Sequence, residues 1–422
     1  MGGILLSPLT VRQSAYAAGS DILKLALIGS GARGTGAVVN AMRADEGGEL
    51  VAMADVFEEI VNGSHENLMQ IKDLKDRVKV PDSQKFVGLD AYKEAIRLAD
   101  VVILATPPAF RPLHFEMAIN EGKHVFMEKP MATDAPGIRR ILAAGKLAEE
   151  KGISVVAGLQ NRYALRFQKT MNEVHKGRIG EMTSMSCKYL IAGITEIPRK
   201  EGDTEMEYQL RNWRMFEWLW GGSPAGLTIH FEDIAHWAKG SFPVRAFGTG
   251  GRMALNGPEQ GTIYDHYYIE YEYEDGTRLH SRTRHIQNCW TNRGIEFHGS
   301  AGSVNLPAWG DVEIKDLKGE TLWSHNDSGD PNPYETEHEH FFKAIRSGKP
   351  VNDTEWSAKS TMSSIMGRMA VQSGKLVEWD KALNSDLVLV PDDLTFNSTP
   401  PVVPMENGHY PVPVPGGDIR IL

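Results

Sequence analysis

Six residues near the beginning of the chain, Gly29-Ser30-Gly31-Ala32-Arg33-Gly34, follow the spacing Gly-x-Gly-x-x-Gly. They come directly after a short apolar run and directly before a helix-like segment. In that setting Gly29 permits a tight turn, Gly31 lets the backbone approach a pyrophosphate, and Gly34 lets the helix pack closely on the strand. The first turn of the helix offers unpaired N–H groups to the same pyrophosphate. The motif therefore predicts a dinucleotide-binding turn.

A carboxylate stands where the ribose of such a dinucleotide needs one. Asp55 ends the second apolar run, about 20 residues beyond Gly34. There it would accept hydrogen bonds from the adenosine ribose hydroxyls and repel a 2′-phosphate, which favours NAD over NADP. Arg33 is open to two interpretations, because it could lie along the adenine or reach a phosphate.

The segment Thr106-Pro107-Pro108 follows the fourth strand of the predicted sheet. Loops at the carboxyl ends of parallel strands border the ligand crevice, so we expect this one to lie beside the nicotinamide or its ribose. An ordinary strand-to-helix turn explains the same residues equally well.

A lysine ends the next strand, in the segment Glu128-Lys129-Pro130. A lysine at a sheet edge usually faces water and is inert. At the mouth of a cofactor crevice, however, a partly desolvated ammonium group can donate a proton to a substrate oxygen or polarise it. We therefore predict that Lys129 is catalytic and that Glu128 hydrogen-bonds the cofactor ribose.

These motifs need a scaffold, and the first part of the chain alternates apolar runs with helix-like segments. That alternation predicts right-handed crossovers and a doubly wound parallel sheet, a Rossmann domain, over residues 22–150. The predicted strands are Leu23–Ile28, Leu50–Ala54, Val101–Ala105, His124–Met127 and Ser154–Ala157. The predicted helices are Thr35–Met42, Tyr92–Leu98, Pro112–Glu121 and Ala135–Lys151.

The pattern then changes to strands without intervening helices. Residues 151–390 predict an α+β domain with an open, mostly antiparallel sheet, and Asp275-Gly276 between two strand-forming runs predicts a hairpin. Residues 391–422 are rich in proline and predict an extended tail that wraps a domain or a neighbouring subunit. Residues 1–21 have two interpretations, the remnant of an export signal or a disordered arm.

Glu128-Lys129-Pro130, together with Gly29–Gly34, Asp55 and Ala105–Pro108, resembles the glucose–fructose oxidoreductase / inositol dehydrogenase family (Gfo/Idh/MocA). The resemblance covers about residues 22–390. It implies a Rossmann domain followed by an open antiparallel sheet, and NAD(P)-dependent oxidation or reduction of a secondary alcohol on a sugar or cyclitol. It also implies a dimer or tetramer, and the sheet of the second domain is where we expect copies to pair.

In that family the second domain supplies the segment acid-x-x-x-His-x-x-Asp. Here it aligns with Gly226–Asp233, so the resemblance implies catalytic roles for His230 and Asp233. Gly226 stands where the family has an acid, so another group must orient the histidine or the proton relay differs. Glu217 and Glu232 are close in sequence and could substitute. Without the resemblance, His230 would more often be a structural histidine.

Further polar and aromatic residues suit a sugar, which presents hydroxyls around an apolar ring face. Gln160, Arg162 and Tyr163 follow the sixth strand at the crevice, where we expect Gln160 at the cofactor and the other two at the substrate. Arg211 and Trp213 precede His230 and are predicted at the substrate too. Packing in the core is the alternative for the tryptophan.

Composition excludes several other classes. The net charge of −10 gives no general attraction to nucleic acid or to anionic membranes, so we expect neither as a partner. Two cysteines cannot form a disulfide framework or a cysteine-rich zinc module. His338 and His340 alternate with glutamates, which predicts a solvated helix face rather than a metal site.

Together these features predict hydride transfer between NAD and a carbohydrate alcohol, in which Lys129 contacts the reacting oxygen and His230 takes its proton. One alternative is a redox-assisted glycosidase or lyase that holds NAD tightly. A second is a binding protein without turnover, against which the intact lysine motif argues. An export signal would place the protein in the periplasm, and a simple arm would leave it in the cytoplasm.

Overall fold

The computed structural model describes residues 21–391 and 394–417. Apart from Asp21, the predicted leader or arm lies outside the described residues, as does the end of the proline-rich tail. In this part of the chain, no helix is long and apolar enough to cross a lipid bilayer.

The first sheet has six parallel strands in the order β3-β2-β1-β4-β5-β6. Its strands are β1 (Leu23–Ile28), β2 (Gly48–Asp55), β3 (Lys85–Val87), β4 (Val101–Leu104), β5 (His124–Glu128) and β6 (Val155–Gly158). The helices that cover it are α1 (Ala32–Ala44), α2 (Glu58–Met69), α3 (Ala91–Leu98), α4 (Arg111–Asn120) and α5 (Ala135–Glu150). The predicted Rossmann arrangement is confirmed. The helix α2, whose apolar stripe is weak, and the three-residue strand β3 were not predicted from the sequence.

The second sheet has nine strands in the order β14-β13-β12-β11-β7-β10-β9-β8-β15. They are β7 (Met182–Ile191), β8 (Arg245–Gly251), β9 (His266–Glu272), β10 (Arg278–His285), β11 (Asn292–Gly299), β12 (Gly302–Pro307), β13 (Val312–Asp316), β14 (Thr321–His325) and β15 (Val377–Glu378). The pair β7 and β10 is parallel and the other pairs are antiparallel, so the mostly antiparallel sheet is confirmed. Asp275-Gly276 joins β9 to β10 as the predicted hairpin.

Seven further helices connect and cover this sheet. They are α6 (Leu165–His175), α7 (Glu205–Arg211), α8 (Glu217–Trp220), α9 (Ile229–Lys239), α10 (Pro333–Ser347), α11 (Thr354–Ser373) and α12 (Trp379–Leu383). A π-helical turn, Pro224–Thr228, leads directly into α9. Because α10 packs on α1 and α11 on α5, the chain returns to the first domain after building the second.

The prediction of a solvated face was right for His340 and wrong for His338. Glu339 and His340 are exposed. Glu337 and His338 are fully buried, and the imidazole of His338 stacks on Phe126 of β5 at 4.0 Å between ring centroids. The return of α10 to the first sheet buries this face, and the alternation of charged residues carried no sign of that contact.

The described residues after α12 run without regular structure along the surface of the chain. The hydroxyl of Tyr264 donates to the carbonyl of Pro413, and the ring of Phe396 lies 6.3 Å from that of Phe57. The tail thus crosses from the Rossmann domain to the second domain of the same chain. Pairing of copies through the nine-stranded sheet stays a prediction, as does the cellular location.

Candidate active site

The glycine-rich turn has the geometry that a dinucleotide requires. Gly29 has a φ of +91°, and a Cβ there would lie 2.5 Å from the backbone nitrogen of Thr106. A Cβ on Gly34 would overlap the carbonyl of Gly29, so this glycine lets α1 approach β1. A Cβ on Gly31 would meet nothing within 4 Å, which leaves open space above the backbone. That space is where a pyrophosphate would approach.

The N-terminus of α1 is free to bind an anion. Gly31 caps it without a side-chain hydrogen bond, and its first turn carries no acidic residue. Ser30 donates its backbone N–H to Oδ2 of Asp55 at 2.7 Å, which holds the carboxylate at the tip of β2. Burial raises the pKa of Asp55. The residues present therefore fit the pyrophosphate and adenosine ribose of a nicotinamide dinucleotide.

The loop after β4 lies at the adenosine end of this turn. Thr106 and Pro107 line a cavity of about 50 Å³ together with Asp55, and Pro108 begins a short, buried 3₁₀ turn. The hydroxyl of Thr106 lies 3.3 Å from Nδ1 of His114. The structure thus puts the loop beside the predicted ribose-binding carboxylate of Asp55. Its position beside the nicotinamide or the nicotinamide ribose stays a prediction.

Arg33 binds within the protein in this structure, and its two predicted positions, along the adenine or at a phosphate, stay predictions. Its Nε lies 2.5 Å from Oε1 of Glu128, and its guanidinium lies 4.7 Å from the ring centroid of Tyr334 and 3.9 Å from Glu337. In this structure the Glu128 carboxylate, predicted to hydrogen-bond a ribose, is paired with this arginine instead. Gly158 on β6 makes room for the pair, because a Cβ there would lie 3.0 Å from the Glu128 carboxyl carbon.

Lys129 lies at the tip of β5 and points toward the second domain. Its Nζ donates a hydrogen bond of 2.7 Å to the carbonyl oxygen of Gly226. Removal of the ammonium group from water lowers the pKa of Lys129 to about 8. A lysine with this pKa is still mostly protonated at pH 7, so it can donate a hydrogen bond to a substrate oxygen.

Gly226 is a glycine because an indole ring fills the space of its side chain. A Cβ at this position would overlap the ring of Trp220, which is 4 % exposed. An acid cannot occupy the position without displacing that tryptophan. The lysine therefore bonds to a backbone carbonyl at the position where the family has a carboxylate.

The two glutamates suggested as substitutes for that acid are bound elsewhere. Glu217 pairs with Arg368 at 3.4 Å and accepts from Gln372. Glu232 accepts from the hydroxyls of Tyr271, Ser281 and Ser364, and burial raises its pKa to about 7. In the part of the chain that the structure describes, neither glutamate hydrogen-bonds His230.

His230, on the first turn of α9, lines a cleft of about 400 Å³ whose lining residues all follow the Rossmann domain, from Gln160 to Tyr334. The side chain is 9 % exposed, and Nδ1 has no hydrogen-bond partner among the described residues. Burial lowers the pKa of His230 well below its usual range, and the nearby cations Lys129, Arg33 and Arg293 lower it further. The imidazole is therefore neutral at pH 7 and able to accept a proton. Gln160 lines the same cleft.

Asp233 and Arg162 bind each other in this structure. Two hydrogen bonds of 2.8 and 2.9 Å join the guanidinium to the carboxylate, which is 1 % exposed. The guanidinium lies near the rings of Trp237 and Trp356, and Ser360 donates to the same carboxylate. The pair thus joins the segment after β6 to α9, and the catalytic role of Asp233 and the substrate-binding role of Arg162 stay predictions.

Three other residues predicted at the substrate are also held elsewhere. Tyr163 donates its hydroxyl to Asp353 at 2.6 Å. Arg211 binds Glu59 and lies 3.8 Å over the ring of Phe57, on the adenosine side of the Rossmann domain. Trp213 packs against the apolar cluster that contains Phe57. Side-chain partners therefore hold all three in this structure, and their substrate-binding roles stay predictions.

The sequence analysis missed the opposite wall of the cleft. Tyr189, Arg293 and Trp309 line it, from β7, β11 and the loop after β12. These elements are distant in sequence, so no local motif marks them. The pair Trp309-Gly310 at a turn was the one available sign, because a tryptophan is rare at an exposed turn.

A Rossmann domain with a dinucleotide-binding turn is joined here to a mostly antiparallel sheet, and helix α9 brings a histidine near the lysine at the tip of β5. This arrangement defines a two-domain dinucleotide-dependent oxidoreductase. Family models agree: the NAD-binding Rossmann domain of the Gfo/Idh/MocA oxidoreductases matches residues 23–158, and their C-terminal α/β domain matches residues 172–373. The chain belongs to the Gfo/Idh/MocA oxidoreductase family.

Individual relatives are distant. The chain is 25 % identical over 217 residues to inositol 2-dehydrogenase of Rhizobium meliloti, covering 51 % of this chain and 59 % of the relative. It is 26 % identical over 219 residues to 2,7-anhydro-N-acetylneuraminate hydratase of Escherichia coli, covering 52 % and 54 %. The chain thus spans little more than half the length of these curated relatives. The crystal structure of aldose-aldose oxidoreductase from Caulobacter crescentus has the same fold, with a TM-score of 0.66, 19 % identity, and coverage of 85 % of this chain and 99 % of that one.

Proposed function

We propose that this protein is an NAD(H)-dependent dehydrogenase that interconverts a secondary alcohol and a ketone on a sugar, glycoside or cyclitol. The observation that carries the proposal is the position of Lys129 next to His230. The ammonium group hydrogen-bonds the carbonyl of Gly226, four residues before His230, and its charge adds to burial in lowering the pKa of the histidine. The relatives named above support a carbohydrate or cyclitol substrate, since one is an inositol 2-dehydrogenase.

The two side chains have different roles because one is charged and the other is neutral. When bound, a nicotinamide would accept the hydride, which carries both electrons of the C–H bond away from the alcohol carbon. The ammonium group of Lys129 hydrogen-bonds the reacting oxygen. The neutral imidazole of His230 accepts the hydroxyl proton, so the alcohol loses one hydride and one proton and becomes a ketone. In the reverse direction the same two groups return the proton.

NAD is the proposed cofactor rather than NADP. The Asp55 carboxylate stands at the end of β2 and is held there by the N–H groups of Ser30 and Phe57. A fixed negative charge at this position repels a 2′-phosphate. Gly29, Gly31 and Gly34 with the first turn of α1 would hold the pyrophosphate.

A redox-assisted lyase or glycosidase is the second candidate, and two observations favour it. A neutral histidine without a carboxylate partner can remove a proton from a carbon beside a transient ketone, and the leaving group then departs. A relative of the chain is a hydratase of an anhydro sugar. In this reaction the hydride returns to the substrate, so no net NADH forms.

One experiment separates these functions. The purified protein is denatured to identify any released nucleotide, and the native protein is then screened against sugars, cyclitols and glycosides for NADH formation and for exchange of deuterium into substrate carbon. NADH formation supports the dehydrogenase, and release of an aglycone without NADH supports the lyase or glycosidase. Binding without either signal, and without exchange, indicates a binding protein.

A variant then tests the role of the lysine. Lys129→Met should lower kcat by about a hundred- to ten-thousandfold while NAD still binds. Lys123→Met, just before the same strand, is the matched control and should keep the wild-type rate. Near-native turnover by Lys129→Met would remove the lysine from the mechanism.

A further inference from the structure

One wall of the cleft that His230 lines carries a cation, the guanidinium of Arg293. The guanidinium of Arg293 lies 4.2 Å from the ring centroid of Trp309 and 5.5 Å from that of Tyr189. It forms no ion pair with a carboxylate in the part of the chain that the structure describes. The ring of Tyr189 also faces His230, 6.4 Å away and nearly parallel to the imidazole. Arg293 is therefore one aromatic ring away from the proposed catalytic histidine.

The loop that carries Trp309 is fixed although its tryptophan is exposed. The buried guanidinium of Arg166 donates to the carbonyls of Pro307, Ala308 and Gly310, and Asp327 accepts the N–H of Gly310 at 2.8 Å. The side chain of Trp309 is nevertheless 65 % exposed. A rigid backbone that presents an exposed indole to a cleft is a platform for a ligand rather than a mobile surface loop.

The acids in the cleft do not neutralise Arg293. Asp327 is held by the N–H of Gly310 and lies 3.9 Å from Arg166. Asp330 accepts from Nε2 of His325 at 2.9 Å. Both carboxylates are thus used within the protein, whereas the guanidinium of Arg293 lines the cleft as a cation. A guanidinium that lies over two aromatic rings keeps its N–H donors for a bound carboxylate or phosphate.

We propose that the substrate is an anionic sugar, whose carboxylate or phosphate ester binds Arg293 while its ring packs on Trp309. This inference rests on the proposed function, because it assumes that the substrate is a sugar. Its test measures binding of the sugar and does not depend on the reaction. The inference goes beyond that function by naming the charge of the substrate and the residues that select it. Arg293 selects the charge of the substrate, whereas Lys129 and His230 act on the hydroxyl group that reacts.

Matched sugars test this directly. Binding to the NAD-loaded protein is measured by calorimetry for the gluco, galacto and manno series, each as the hexose, the hexuronate and the hexose 6-phosphate. We expect at least one charged member to bind about ten- to a hundredfold more tightly than its neutral counterpart. The hexuronate and phosphate arms tell which anion is preferred. If no charged member binds more tightly than its neutral counterpart, including the case in which none binds, the inference is wrong.

Variants assign the preference to the arginine. Arg293→Met should bring the ratio of charged to neutral binding close to one, and Arg293→Lys should keep part of it. Arg282→Met, an exposed arginine near Tyr268 on the same sheet, is the matched control and should keep the wild-type ratio. A ratio that survives Arg293→Met overturns the assignment. Tight binding of an anionic sugar without NADH formation would leave this inference standing and contradict the dehydrogenase.

Discussion

The ammonium group of Lys129 hydrogen-bonds the carbonyl oxygen of Gly226 across the boundary between the two domains, at 2.7 Å. Gly226 precedes His230 by one helical turn, so this bond holds the proposed proton donor beside the proposed proton acceptor. A backbone carbonyl cannot be protonated or lose a proton in the physiological range. The charge of the lysine is therefore set by its burial and by its neighbours.

We expect activity to fall at high pH as Lys129 loses its proton. Burial lowers the pKa of this lysine to about 8, so kcat/KM in the oxidation direction should decline above about pH 8. The pKa of His230 is lowered well below its usual range, so no loss from protonation of the histidine is expected between pH 6 and pH 8. The measurement is a pH profile with the best substrate. A plateau that extends to pH 10 would contradict the assignment of a lysine ammonium.

Gly226→Ala should destabilise the protein because the new methyl group overlaps the indole of Trp220. The expected loss is about 1–3 kcal/mol in the free energy of unfolding, measured by urea denaturation. Gly63→Ala is the control, since Gly63 lies in α2 with nothing within 4 Å of a new Cβ. That variant should be neutral or slightly stabilised. Equal stability of both variants would show that Trp220 yields easily.

Arg162→Met should be strongly destabilising because it leaves the Asp233 carboxylate buried without its cation. Loss of one partner of a buried pair costs about 3–5 kcal/mol, and removal of both in Arg162→Met/Asp233→Asn should recover part of it. Urea denaturation of the single and double variants measures this. A substrate-binding role would instead raise KM and leave the free energy of unfolding unchanged.

We expect the free energy of unfolding to fall as the pH rises, because of Glu232. Burial raises the pKa of Glu232 to about 7, above the value of about 4.3 in an unfolded chain, so the folded state binds the extra proton between these values. Stability should fall by about 3 kcal/mol across that range in the wild type relative to Glu232→Gln. Thermal unfolding from pH 4 to pH 8 measures the difference, with exposed Glu274→Gln as control. Parallel profiles of wild type and Glu232→Gln would contradict the prediction.

Asp55→Ser should shift cofactor preference toward NADP. Loss of the carboxylate removes its repulsion of a 2′-phosphate, and we expect the ratio of kcat/KM for NADP to that for NAD to rise about tenfold or more. Asp100→Ser is the control, because its carboxylate also accepts a backbone N–H, from Lys24 at 2.9 Å, but at the amino ends of the central strands β1 and β4. An unchanged ratio in Asp55→Ser would assign cofactor choice to other residues.

The dinucleotide turn could be predicted because its geometry depends on neighbours in sequence. The roles of Gly29, Gly31 and Gly34 follow from one strand, one turn and one helix, and Asp55 follows from the end of the next strand. The two sheets were predictable for a similar reason, since the spacing of apolar runs determines which segments become strands. The departure at Gly226 was also visible in the sequence.

The partners of the charged side chains depend on which helices and strands contact each other in the fold. Local sequence patterns do not indicate these contacts. Arg33 pairs with Glu128 because β5 lies beside the turn, and Arg162 pairs with Asp233 because the segment after β6 meets α9. Glu337 is buried because α10 returns to the first domain. Local spacing determines secondary structure and backbone turns, whereas the state of a charge is determined by contacts between distant segments. Those contacts exist only in the folded chain.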